Sequence, residues 1–327
     1  MSDLRIPLGE WVETIVRGII AAVPGIFDGI RTGFLAFYEG LDWLLTTPPF
    51  WVVIAVFVLI ALAVKGWKFA LGTAVGFMLI VAVDQWTTAM ESLALVVVAG
   101  VIAVALAIPL GILAAKSDVA SRIIRPVLDF MQTMPAFVYL IPALILFRVG
   151  VTPGIVATII FALAPGVRLT ELGIRRVDSE VVEAGQAFGS SPGRILRQIQ
   201  LPLAMPTIMA GVNQVIMLAL SMVVIAGMVG AGGLGGQIVA SLNRIDIALG
   251  FEAGLSVVIL AIFLDRLTAA LGANQTVLGK LIDAAAKRRR AERAGGSAPA
   301  DRVVDGEAPV DEVEVATASP RRAPTAF

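Results

Sequence analysis

The sequence predicts an all-α, polytopic membrane protein, and three features lead there. Of 327 residues, 58% are hydrophobic and only 15% charged, where soluble domains carry about 25% charged residues. The charges are unevenly placed. They leave runs of about 20 residues nearly uncharged, long enough at about 1.5 Å per residue to cross a hydrocarbon core of roughly 30 Å. Those runs also lack the polar face that soluble helices keep.

Seven spans are predicted. The first is 50–64 (FWVVIAVFVLIALAV), and 67–83 follows after the short turn Lys65-Gly66. The others are 92–114, 127–147, 151–167, 207–229 and 251–270. The fourth contains Pro135 and Pro142 and is the least regular, because each proline frees a carbonyl that a kink or a neighbour must satisfy. Together the spans define a membrane domain over 49–285, with about seven helices.

Residues 1–48 form a separate N-terminal region. Ile15, Ile19, Ile26, Ile30, Phe34 and Phe37 recur at helical spacing among Arg17, Asp28, Arg31 and Glu39. That pattern fits an amphipathic helix at a membrane surface, or equally a packing flange on the bundle. Met1 to Glu13 mixes acids with Arg5 and Pro7 and does not read as a cleaved signal peptide. At the other end, 286–327 is rich in Ala, Pro, Glu and Asp, a composition that buries no core and is expected to be disordered.

Basic residues favour the cytoplasmic side in short loops. With seven spans, the loops at 65–66, 115–126 and 168–206 share one face with the tail. Lys65, Lys68, Lys116, Arg122, Arg125, Arg168, Arg175, Arg176, Arg194 and Arg197 lie on that face, as does the run Lys287-Arg288-Arg289-Arg290. The opposite face has only Arg5, Arg17, Arg31, Arg148 and Arg244. The N-terminus is therefore expected to be external and the C-terminus cytoplasmic.

Composition excludes several chemistries. The formal net charge is zero, so bulk charge gives no reason for a nucleic-acid partner. With no Cys and no His, there are no disulfides, thiol nucleophiles, Cys/His zinc sites or imidazole bases. No GxxxxGK[ST] phosphate loop occurs.

The polar segment 168–206, RLTELGIRRVDSEVVEAGQAFGSSPGRILRQIQLPLAMP, is patterned beyond a slack linker. Val177, Val181, Val182, Ala184, Ala187 and Phe188 give one helix an apolar side, and Gly189 ends it. Ser190-Ser191-Pro192 is a helix start, with a hydroxyl to cap free N–H groups and proline in the first turn. A second short helix over about 192–199 points Arg194 and Arg197 outward, and Leu201-Pro202 is expected to stop it. Two helices joined by a glycine make a compact knob. It is either a structural loop or a surface suited to a groove on a cytosolic partner.

Glu183-Ala184-Gly185, then Gly189, then Ile199-Gln200-Leu201-Pro202 resembles the EAA loop of binding-protein-dependent ABC importers. Gly185 stands where the commonest form has a second Ala, a departure expected to loosen one turn. IPLGEW at 6–11, PFWVV at 49–53, MPAFVYLIPA at 134–143, RLTELGIRRV at 168–177 and the run 187–235 resemble the permease of the glycine betaine/proline uptake system. Nothing comparable extends beyond about 285.

The resemblance implies a type I ABC importer permease fold in the inner membrane. It implies a homodimer that works with a cytoplasmic ABC ATPase subunit and a periplasmic substrate-binding protein on a small quaternary-amine osmolyte. Glu183, Ala184, Gly185, Gly189, Arg194, Arg197, Leu201 and Pro202 would then form the coupling element. The chain would be a transport subunit with no cofactor or metal, and not itself an enzyme.

Asn213 and Gln214 interrupt the apolar sixth span, so they either pack helices together or line a path. Gly211, Gly227 and Gly230 allow close helix approach. Tyr139 is a further path candidate, since aromatic ring faces attract quaternary amines. The segment 230–250 is glycine-rich and then helical; alone it reads as a flexible turn, and the resemblance implies an external gate element. Near-absence of charge at mid-span counts against an ion-coupled carrier. A secondary transporter and a non-transporting scaffold stay as rival readings.

Overall fold

A computed structural model describes residues 7–22 and 24–272. The tail expected over 286–327 and the Lys287–Arg290 run lie outside the described residues. Those described form helices throughout, with no strand.

The order is α1 (Leu8–Ala22), α2 (Pro24–Thr46), α3 (Phe50–Lys65), α4 (Trp67–Ala82), α5 (Trp86–Lys116), α6 (Asp118–Thr133) and α7 (Ala136–Phe147). Then follow α8 (Val151–Arg175), α9 (Ser179–Ala187), α10 (Pro192–Ile195), α11 (Leu201–Ser221), α12 (Val223–Gly227), α13 (Gly233–Arg244) and α14 (Ile247–Gly272). A π-helical turn, Leu196–Gln200, joins α10 to α11.

α5, α8 and α11 form the interior, and small residues are the reason they pack so tightly. A Cβ placed on Gly166 of α8 would lie 2.7 Å from the Ala107 Cβ of α5 and 2.9 Å from Val215 of α11. Without hydrophobic drive between helices in lipid, such backbone approach supplies the packing contacts that hold spans together. Against this interior, α3, α4 and α14 wedge an aromatic cluster, with Phe57–Phe77, Phe57–Phe263 and Phe77–Phe263 ring centroids 5.0, 5.2 and 5.2 Å apart. α2 buries Tyr38 and Leu45 in the same core, while Trp11 and Ile15 of α1 are exposed.

Every predicted span corresponds to helix, but the boundaries differ. Four stretches are long and apolar enough to cross a membrane: α5, α8, the continuous run Pro192–Gly227, and α14. Two bent pairs raise this to as many as six crossings, α2 with α3 at 100° and α6 with α7 at 99°. The expected single span 127–147 is one of these breaks. Met134 adopts φ −73°, ψ 136°, the extended conformation imposed on a residue before proline, and Pro135 then opens α7. The remaining predicted span is α4, whose 16 residues reach roughly 24 Å at 1.5 Å per residue.

Two further expectations are corrected. The polar segment assigned to 168–206 is shorter as a loop, since α8 continues through Arg175. Leu201-Pro202 does not stop the second short helix, which runs on into α11. The π turn explains this: the Leu201 N–H donates to the Leu196 carbonyl, so the wider spacing spans the point where Pro202 has no N–H to give.

Candidate coupling surface and translocation path

The knob is built mainly by its backbone. Asp178 is the N-cap of α9, its Oδ1 accepting the Glu180 N–H at 2.9 Å. At the other end the Gly189 N–H donates to the Gln186 carbonyl at 2.8 Å, and the Ser190 N–H to the Gly185 carbonyl at 3.1 Å. This pair of reversed bonds around a left-handed residue is a Schellman termination. Gly189 has φ +73°, where a side chain would be strained. Ser191 then turns extended and Pro192 opens α10, but no hydroxyl caps that helix, so the expected side-chain cap is absent and proline alone marks the start.

No residue of α9 is buried. Ile195, 3% exposed, anchors the second half of the knob, while Val177, Leu196 and Leu201 pack on Ile174, Ala204 and Ile208. Lys116 at the end of α5 donates to Gln200 Oε1 at 2.6 Å. Gly185 does not loosen its turn: a Cβ there would lie 2.7 Å from Ile199 Cδ1, so the missing side chain lets Ile199 nest against α9.

The predicted coupling residues therefore run from α9 through α10 and the π turn to the first turn of α11. Glu183, Ala184, Arg194, Arg197 and Pro202 are exposed and Leu201 is half-buried. Among the described residues Glu183, Arg194 and Arg197 form no salt bridge. Phe188, on the apolar side expected of this helix, is 90% exposed and projects at the C-cap of α9.

Beneath the knob is an ion cluster that sequence reasoning missed. Glu171 of α8 is 3% exposed and accepts from Ser121 at 2.7 Å, Arg125 at 2.8 Å and Arg175 at 3.0 Å. Arg175 also donates to the Ala114 carbonyl and to Asp118 Oδ1, both at 2.8 Å, and Arg168 pairs with Asp129. These bonds fasten the last turn of α5 and the amphipathic α6 to α8. The available signal was an acid at 171 among the basic residues of a predicted cytoplasmic face.

The path candidates separate. Asn213 of α11 donates to Asp265 Oδ1 at 3.0 Å and accepts from the Thr268 hydroxyl, tying α11 to α14. Tyr139 is 8% exposed, and its hydroxyl donates to the Met131 carbonyl across the α6–α7 break. Gln214 is exposed on α11, as are Ala210 and Ser221 along the same face.

At the far end of α11, Gly230, Gly232 and Gly233 all have positive φ. They turn the chain so that α13 starts against α5. The Gly233 N–H donates to Glu91 Oε2 at 2.9 Å and the Leu234 N–H to Ser92 Oγ at 2.8 Å, side-chain caps supplied from another helix. Gly227 and Gly235 face each other backbone to backbone.

Residues 107–276 match the family described as binding-protein-dependent transport system inner membrane component. The chain is 47% identical over 274 residues to the glycine betaine/proline betaine transport system permease protein ProW of Escherichia coli (strain K12), covering 84% of this chain and 77% of that one. It is 45% identical over 264 residues to the glycine betaine transport system permease protein OpuAB of Bacillus subtilis (strain 168), covering 81% and 94%. Further relatives carry names for carnitine, trimethylamine N-oxide or choline transport. A structure of the MetNI methionine ABC transporter in inward-facing conformations aligns with TM-score 0.52 at 20% identity, covering 56% of this chain and 92% of that one, which supports the fold. The chain belongs to the binding-protein-dependent transport system inner membrane components, and is a multi-pass, non-catalytic permease subunit of an ABC importer, a family that works with an ATPase and a substrate-binding protein.

Proposed function

We propose that this permease moves glycine betaine or a closely related quaternary-amine osmolyte into the cytoplasm, as a homodimer driven by two ATPase subunits. The observation that carries the coupling half of this reading is the knob. Its backbone is locked, α9 buries nothing, and it presents Phe188, Glu183, Arg194 and Arg197 to solvent. Nucleotide binding would shift the permease between facing states by binding one arrangement of the knobs better than the other.

Amine transport is supported by the relatives' names; the preferred solute is glycine betaine in this reading. Gln214 is the side chain placed to line the path, because an exposed amide in an apolar helix is costly against lipid. Asn213 and Tyr139 shape the walls through the bonds that already engage them. α4 completes seven crossings, with the N-terminus periplasmic and the knob cytoplasmic.

Proteoliposomes holding the permease, its ATPase and its binding protein should accumulate labelled glycine betaine only with ATP. Uptake driven by a sodium or proton gradient without ATP would instead establish the secondary-transporter reading. For topology, single cysteines at positions 2 and 297 should label from opposite sides of intact membranes, and labelling from one side would reject seven crossings.

A further inference from the structure

α4 and α14 enclose an apolar groove of about 560 Å³ on the periphery of the bundle. Its walls are aromatic and aliphatic, lined by Phe69 and Phe77 of α4 and by Ile259, Ile262 and Phe263 of α14. Phe69 and Phe263 stack at 6.1 Å. The groove has a polar end as well: Lys68 lines it, with its ammonium 5.9 Å from the Trp67 ring. Lys65 lies three residues away across the α3–α4 turn. Lys65, Trp67 and Lys68 are all exposed, and neither lysine pairs with an acid among the described residues.

The glycines decide what fits. Gly72 and Gly76 are one turn apart on α4, a spacing that also suits a packed helix. Yet a Cβ on Gly76 would already lie 2.9 Å from Ile259 Cγ2, whereas nothing comes within 4 Å of one on Gly72. A helix laid along this face would need both positions open. Only the half nearer Lys68 is, and that leaves a slot for something thinner.

Length agrees with this. From Lys68 to Phe77 the groove follows α4 for about 14 Å at 1.5 Å per residue, close to half of a hydrocarbon core of roughly 30 Å. We infer that the groove is a binding site for one anionic phospholipid, its acyl chain seated over Gly72 and its phosphate held by Lys65 and Lys68. Basic side chains at the mouth of a pocket between spanning helices favour an anionic headgroup, and a tryptophan beside them fits the interfacial level. The inference rests on the proposal that α4 crosses the bilayer, whose failure would show separately in the cysteine labelling.

The test is native mass spectrometry of the full-length permease, exchanged in detergent against equimolar phosphatidylglycerol and phosphatidylcholine of identical chains. The wild type should retain phosphatidylglycerol preferentially. Lys65→Gln with Lys68→Gln should erase that preference, by roughly fivefold for each lysine. Gly72→Leu, which fills open space and leaves the backbone free to stay helical, should reduce retention of both lipids. Equal retention of the two lipids by the wild type would overturn the site, as would retention by Gly72→Leu equal to the wild type. Separation of two-copy complexes by Gly72→Leu with lipid retention unchanged would assign the groove to a protein partner instead.

Discussion

The α5–α8–α11 interior and the α9–α10 knob meet at the end of α8, yet they are held by opposite means. In the interior, order comes from side chains being small or absent: Gly166 lets three helices approach to within a methyl group of one another. In α9 no side chain is buried, and order comes from the Asp178 cap and the Schellman bonds at Gly189. The difference shows how a membrane protein keeps an element between two spans stiff without using its surface. Side chains freed from packing are available to a partner, and the Glu171 cluster fastens the underlying helices where the two regimes join.

Seven substitutions break or sharpen this contrast. The largest effect is expected from Gly235→Val, because a Cβ there overlaps the Val223 carbonyl, a backbone atom that has no rotamer to escape into. We expect a loss above about 4 kcal/mol, read as absence of folded protein on size-exclusion chromatography; wild-type yield would show that the α12–α13 contact is dispensable. Glu171→Ala comes next. It leaves Arg125 and Arg175 without their shared carboxylate and should cost about 2–3 kcal/mol, less than a fully buried pair because Arg125 is more than half exposed. Glu171→Gln, which can still accept from Ser121, should lose less in the same thermal unfolding assay.

Phe188→Ala probes the other regime. Thermal stability should stay within about 0.5 kcal/mol of wild type, while ATPase affinity in a pull-down titration falls by about 2 kcal/mol, roughly thirtyfold, as for an aromatic interface anchor. A parallel loss of stability would mean that Phe188 packs within the chain. Gly189→Val and Glu183→Lys serve as companions that still insert in the membrane but lose ATPase association. The smallest effect is expected from Asn213→Leu, about 1 kcal/mol for a hydrogen bond between spanning helices, seen as lower stability with per-complex transport retained. Transport abolished in a stable complex would move Asn213 from the wall to the path.

The positions of helix, the irregularity around Pro135, the glycine bend at 189 and the family resemblance were all legible in the amino-acid sequence, though the separation of α6 from α7 was not. Each depends on local chemistry: apolar run length, a proline's effect on its predecessor, a residue that tolerates positive φ, a short motif in one stretch of chain. What only the tertiary structure decided was which partner each side chain meets. Glu171 looked like one acid in a polar loop until α6 brought Ser121 and Arg125 beneath it. Periodicity placed Phe188 on the apolar side of a helix, and only the structure shows that it stands 90% exposed. Asn213 reads in sequence as either packing or path, and only the structure shows that Asp265 and Thr268 of α14 engage it. Spacing along the chain sets which residues share a face, and only the packing of distant segments determines whether that face is covered.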